Sequence, residues 1–172
     1  MKQLTLHPSL RNSPEFGGDL LNRVRKSARP ISTKLSMHTT LRTSGVGSSF
    51  LLTKNARVIR QAIGTLSKRH GIRVYESSVN SNHLHLLTRT RTREGYRSFL
   101  RALSGIIAMR LTGTKKGAAL IKKFWALRPW SRIVQWGRAF KIACKYVIRN
   151  QRESTGQIAY VPRGKPRFPP SE

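Results

Sequence analysis

Two histidines and a tyrosine carry the most legible chemistry in this chain. Asn82-His83-Leu84-His85-Leu86-Leu87 alternates polar and apolar side chains. On a strand, successive side chains point to opposite faces, so His83 and His85 share one face with their Cβ atoms about 7 Å apart. Leu84 and Leu86 share the other face and suit a core. Two neutral imidazoles at that spacing can grip one divalent cation. Further along, Lys145-Tyr146-Val147-Ile148-Arg149-Asn150-Gln151 places Tyr146 and Asn150 four positions apart, on one face of a helix. The Asn150 carboxamide oxygen beside two imidazoles suits a hard ion, Mg2+ or Mn2+. A phenol with pKa about 10 is a weak nucleophile at neutral pH, but a nearby cation and many arginines favour the phenolate. The residues point to metal-assisted cleavage of nucleic acid through a covalent tyrosine link.

Each feature has a plainer reading. A His-x-His pair also arises as two partly exposed strand histidines, and most helical tyrosines simply pack. Glu153 lies on the stripe of Tyr146 and is read first as a solvated acid at a helix end, then as a ligand or base. His38 is a candidate ligand or phosphate contact. No Ser/His/Asp set is credible, because the chain has a single Asp, in its irregular N-terminal part. No carboxylate cluster can hold two metals, and no glycine loop follows a strand to cradle phosphates.

Charge identifies the partner class. Across 172 residues, 34 Lys+Arg oppose 6 Asp+Glu, a net of +28. Self-repulsion of that size is relieved by a polyanion, and nucleic acid is the usual one. No apolar run approaches membrane-spanning length, and no basic helix carries a large apolar face, so a membrane partner is not expected. Cys144 is the only cysteine, which excludes an internal disulfide and a Cys-based zinc site and fits a reducing compartment. The N-terminus lacks the apolar segment of a signal peptide. The expected nucleic-acid contacts are His38, Arg42, Arg89, Arg91, Arg93, Lys115, Lys116, Arg132 and Arg138, with Trp136 as the exposed aromatic for base stacking.

The elements that must position these residues follow from periodicity. Residues 1–30, punctuated by Pro8, Pro14, Gly17, Gly18 and Pro30, read as a basic irregular arm. Thr33–Thr43 alternates as a strand, with Leu35, Met37, Thr39 and Leu41 on one face and Ser36, His38, Thr40 and Arg42 on the other. Asn55–His70 has a helical stripe stopped by Gly71. Ile72–Val79 and Asn82–Thr90 form a hairpin around Asn80-Ser81-Asn82. Arg93–Leu111 is a second helix, Thr114–Lys123 a basic loop, Trp130–Trp136 a fourth strand, and Gly137 to about Arg152 a third helix. The order β-α-β-β-α-β-α spells an α+β, ferredoxin-like antiparallel sheet (a split βαβ unit) with two helices on one face. The extra, tyrosine-bearing helix then covers the other face, where His83 and His85 point. The domain is expected over 31–155, with 156–172 as a basic, Pro-rich tail.

Asn82-His83-Leu84-His85-Leu86-Leu87 resembles the HUH motif (His, hydrophobic, His) of the single-strand transposases of small insertion sequences. Tyr146-Val147-Ile148-Arg149-Asn150-Gln151 resembles their catalytic-tyrosine helix. The chain is more similar still to REP-associated tyrosine transposase-like proteins. There the stretch Phe124-Trp125-Ala126-Leu127-Arg128-Pro129-Trp130 through Trp136-Gly137-Arg138 looks like a subgroup signature. The resemblance implies a metal-dependent DNA-nicking and rejoining transposase. Tyr146 would attack single-stranded or hairpin DNA and leave a 5′-phosphotyrosine. His83, His85 and Asn150 would hold Mg2+ or Mn2+. It implies a monomer or homodimer in the bacterial cytoplasm, associated with the nucleoid. Asn150 departs from a carboxylate or imidazole at the third-ligand position. The competing class is an inactive or domesticated relative that binds structured DNA or RNA. A ribosome-associated basic protein is a third, which gives the histidine pair no task.

Overall fold

The structure, a computed structural model, describes residues 15–21, 27–44, 52–114 and 124–160. The expected contacts Lys115 and Lys116 lie outside the described residues. The elements are β1 (Glu15–Phe16), β2 (Ser36–Arg42), α1 (Ala56–Arg69), β3 (Ile72–Val79), β4 (His83–Thr90), α2 (Arg93–Thr112), β5 (Trp130–Val134) and α3 (Arg138–Ser154). The strands form one antiparallel sheet in the order β1-β5-β2-β4-β3. The α+β, ferredoxin-like expectation holds, and the expected element ends move by a few residues.

The two sheet faces follow from strand alternation. Met37, Leu41, Leu84, Leu86 and Val79 point to one face and pack under α1 and α2, whose buried stripes include Ile59, Ile63, Leu66, Tyr96, Phe99 and Leu103. α2 begins where the Thr92 hydroxyl accepts a bond from the Gly95 N–H at 3.0 Å, and it ends at Gly113 in the left-handed region. On the other face, Leu87 and Val134 meet Ala143 of α3, with Tyr75, Phe140 and Cys144 around them. This second core is small, so α3 covers only part of that face. The cross-strand row that ends in His83 and His85 is left beside the helix.

One irregularity sets the register. A bulge between Val74 and Glu76 makes Ser78 pair with His85 and Val79 with Leu84. Without the extra residue, Val79 would sit opposite His83 on the polar face and lose its place under the helices.

The N-terminal segment is not irregular throughout. Glu15 and Phe16 pair with Arg132 and Ser131 of β5, Phe16 is buried, and the Arg29 guanidinium lies 4.6 Å from the Phe16 ring centroid. Arg29 also donates to the Pro129 carbonyl and the Ser131 hydroxyl. Two strand residues give no readable period, so only the pairing reveals them. No described helix is long and apolar enough to cross a membrane.

Candidate active site

β4 is flanked by β2 and β3, and its His83 and His85 lie on the α3 face. Their rings stand 4.7 Å apart between centroids and nearly perpendicular, at 81°. α3 brings Tyr146 against His85 and His38, with its ring 5.3 Å from the first and 5.8 Å from the second. Tyr146 is 37% exposed, open to an incoming strand. One contact fixes the C-terminal half of α3: the Gln151 side-chain oxygen accepts from the Val79 N–H at 3.0 Å, at the end of β3.

The imidazoles are held from behind. His83 Nδ1 lies 2.7 Å from the Asn82 carboxamide oxygen. An amide oxygen only accepts, so this contact places the proton on Nδ1 and the lone pair on Nε2. His85 is buried, and its Nδ1 lies 2.9 Å from the Thr40 hydroxyl and 3.2 Å from His38 Nε2. His38 itself is buried, and its pKa is pushed down to about 4, first by burial and then by the charge of Arg132. It is therefore neutral at pH 7 and able to accept the Nδ1 proton of His85. Histidines that bind metal characteristically engage their second nitrogen in such a bond.

Asn150 is buried one turn after Tyr146, and its Nδ2 donates to the Tyr146 carbonyl at 2.7 Å. With the nitrogen committed to the helix, Oδ1 is the atom of this side chain that could coordinate a cation. Two imidazole nitrogens and one amide oxygen are a donor set that could hold a hard divalent cation such as Mg2+ or Mn2+. Among the described residues, no group of three or more His, Cys, Asp or Glu could hold a metal ion. The fit therefore depends on Asn150. Glu153 is not the solvated acid expected from its place at the helix end. Its side chain is only 5% exposed and pairs with Arg149 at 2.8 Å.

The expected nucleic-acid contacts separate into groups. Arg42 is the cross-strand partner of His83, and Arg132 that of His38, so both flank the histidine row. His38 lies beneath His85 rather than on a surface. Arg89 and Trp136 lie together at the far end of the strands, with the guanidinium 5.9 Å from the ring centroid, and Arg91 and Arg93 are exposed just beyond. Arg138 is exposed at the start of α3. Trp136 is exposed, as expected, with its indole N–H donating to the Lys34 carbonyl at 3.0 Å. Sequence reasoning missed Asn82 and Thr40 as partners of the histidines, and Trp130, which packs edge-on against His38 at 5.3 Å. Thr40 had a signal, since it shares the polar face of its strand with His38.

The family model described as "Transposase IS200 like" matches residues 32–150. The structure resembles that of a REP-associated tyrosine transposase bound to a REP hairpin. The TM-score is 0.61 at 15% identity, over 78% of this chain and 76% of that one. A protein of Deinococcus radiodurans R1, provisionally assigned as a transposase, aligns with TM-score 0.43 at 18% identity, over 74% of this chain and 98% of that one. No curated protein matches the sequence.

Proposed function

The chain belongs to the IS200-like transposase family, and from that premise we propose that it nicks and rejoins single-stranded DNA through Tyr146. The observation that carries this reading is the placement of Tyr146 over His85, in a row of imidazoles whose Nδ1 atoms are held by Asn82, Thr40 and His38. The Tyr146 phenolate oxygen attacks a phosphodiester phosphorus. The P–O3′ bond breaks, the 3′ oxygen leaves and takes a proton, and the 5′ phosphate stays on the tyrosine. Attack by a 3′-hydroxyl on the same phosphorus reverses the exchange and rejoins DNA with no input of high-energy phosphate. Mg2+ or Mn2+, held by His83, His85 and Asn150, would supply polarisation of the scissile phosphate. Arg42 and Arg132 flank the row and would hold the strand's phosphates.

The structurally similar transposase is bound to a REP hairpin. A hairpin is accordingly the first substrate to try. We place the activity on chromosomal DNA in a bacterial cytoplasm, by a monomer or homodimer. The binding-module alternative draws on one feature of the sequence: Asn150, at the proposed third-ligand position, is a neutral amide, a weaker ligand than a carboxylate.

The test is a denaturing gel after incubation with labelled hairpin DNA from sequences flanking the gene. It compares Mn2+ with chelator, and the wild type with Tyr146→Phe. A metal-dependent adduct that survives denaturation and vanishes in Tyr146→Phe is expected. Tight binding with no adduct under any condition would establish the binding module instead.

A further inference from the structure

At the end of the sheet remote from His83, α1 turns into β3 and β4 leaves toward α2. A pocket of about 590 Å3 opens there, with Lys68, Arg73, Arg89 and Arg91, and no acid, among its described lining residues. The ion pairs among the described residues, Glu15–Arg132 and Arg149–Glu153, include none of these four. Arg73 and Arg89 are direct cross-strand partners. Like charges in that position repel and cost stability. Their guanidinium groups lie over Tyr75 and Trp136, at 5.1 Å and 5.9 Å from the ring centroids. Ring faces soften the repulsion without neutralising it.

We propose that this pocket is a second phosphate seat, taking a phosphodiester of the same DNA strand whose scissile phosphate lies at His83 and His85. It rests on the DNA reading above and adds a site about 13 Å from His85, four residues along β4. Three features support a continuing strand over a free phosphate. His85 and Arg89 lie on one sheet face with Leu87 between them buried under Ala143 of α3, so a strand joins the two sites by passing around the edge of α3 and does not have to cross the sheet. The direct separation sets a minimum span of about four stacked nucleotides at 3.4 Å each. Trp136, exposed under Arg89, offers a ring face to a base on that path. Arginine forks suit the two free phosphate oxygens, and Lys68 adds a point charge. The Ser67 hydroxyl is committed to the Gly64 carbonyl at 3.0 Å, so recognition here is by charge.

The test compares wild type with the Lys68→Gln/Arg73→Gln double variant. Affinity for a hairpin-bearing single strand is measured across a salt series. Adduct formation is measured on a short oligonucleotide covering only the cleavage position. The slope of log affinity against log salt should become shallower by about 0.7 for each lost single-strand contact. The short oligonucleotide should react equally with both proteins, and the thermal midpoint should hold or rise as the repulsion is removed. Lys68→Arg/Arg73→Lys, which keeps the charge, should keep the wild-type slope. An unchanged slope in the Gln variant overturns the seat, while adduct formation would still uphold the nuclease. A shallower slope with no adduct from either protein upholds the seat and overturns cleavage. Equal weakening in the charge-conserving variant, or an equal effect on the short oligonucleotide, also overturns the seat, since a continuing strand would then not be what it binds.

Discussion

His38 Nε2 sits 3.2 Å from His85 Nδ1, so one buried imidazole orients another from beneath. The pairing comes from the β2–β4 register, in which Thr40 faces His85 and His38 faces Leu87. His38 therefore reaches His85 along a diagonal and shares its Nδ1 with the Thr40 hydroxyl. Removing His38 leaves Thr40 alone to hold the tautomer. His38→Ala should lower Mn2+ affinity and adduct rate about 10–100-fold, the usual cost of losing a partner of a metal-binding histidine. DNA affinity in chelator should stay within a few-fold of wild type. His38→Gln, whose amide oxygen can accept the same proton, should recover part of the loss. Calorimetric titration with Mn2+ and the rate of adduct formation measure the two quantities. Equal loss in the Ala and Gln variants would show that His38 only fills space.

The same residue gives the fold a pH limit. Burial holds the His38 pKa at about 4, against 6.5 for an ordinary histidine. At pH values above 6.5 both the folded and the unfolded chain leave it neutral, and its full contribution to stability is present. As pH falls from 6.5 toward 4, the unfolded chain takes up the proton and the folded chain does not. Stability is lost across that window, by about 3 kcal/mol in total, and the loss levels off below pH 4. Urea unfolding at a series of pH values should show this decline, and His38→Phe should flatten it. A decline of equal size in His38→Phe would assign it to other groups.

The histidine row and its opposing tyrosine were legible because alternation and helical spacing are local. His83, His85, Tyr146 and Asn150 each declare a face from a few neighbours. Thr40 and Asn82 were not legible as partners, for different reasons. The role of Thr40 depends on register between strands far apart in sequence. That of Asn82 depends on the side-chain direction of a turn residue. The basic contacts could be listed but not grouped, because sequence gives their number but not their place. The fold puts Arg42 and Arg132 beside the histidines and sends Arg89 to the other end of the strands. Glu153 looked solvated because helix ends usually are, whereas α3 turns this side chain inward against Arg149.

The N-terminal strand makes a separate prediction. Gly17 has φ +87°, and a Cβ built there would lie 2.2 Å from the Pro129 carbonyl oxygen. An L side chain is strained at that φ, and the neighbouring group is backbone, which cannot swing aside. Gly17→Ala should cost at least about 1–3 kcal/mol, seen as a lower thermal midpoint. Since β1 pairs with β5 alone among the described strands, the loss should appear in hydrogen exchange at Ser131 and Arg132 and leave β3 and β4 protected. Exchange rising uniformly across the sheet would mean that β1 supports the whole fold.

The last prediction concerns why the proposed third ligand, Asn150, is an amide. A carboxylate binds Mg2+ or Mn2+ more strongly than a carboxamide, so Asn150→Asp looks like an improvement by ligand strength alone. The structure argues the opposite. Asn150 donates through Nδ2 to the Tyr146 carbonyl at 2.7 Å, inside a buried turn. An ionised Asp has no proton to donate and would set a charged oxygen against that carbonyl. The cost of such a mismatch is about 1–3 kcal/mol, and more for a charged group. Asn150→Asp should therefore lower the thermal midpoint in chelator, and Mn2+ should restore only part of it. Adduct formation should fall below wild type, because a side chain that turns away from the carbonyl also leaves the orientation that the proposed metal site needs. Asn150→Ala, which removes the ligand without adding charge, should keep more of the midpoint and lose more of the Mn2+ response. If Asn150→Asp is as stable as wild type and binds Mn2+ more tightly, the bond to the Tyr146 carbonyl has no part in selecting the amide.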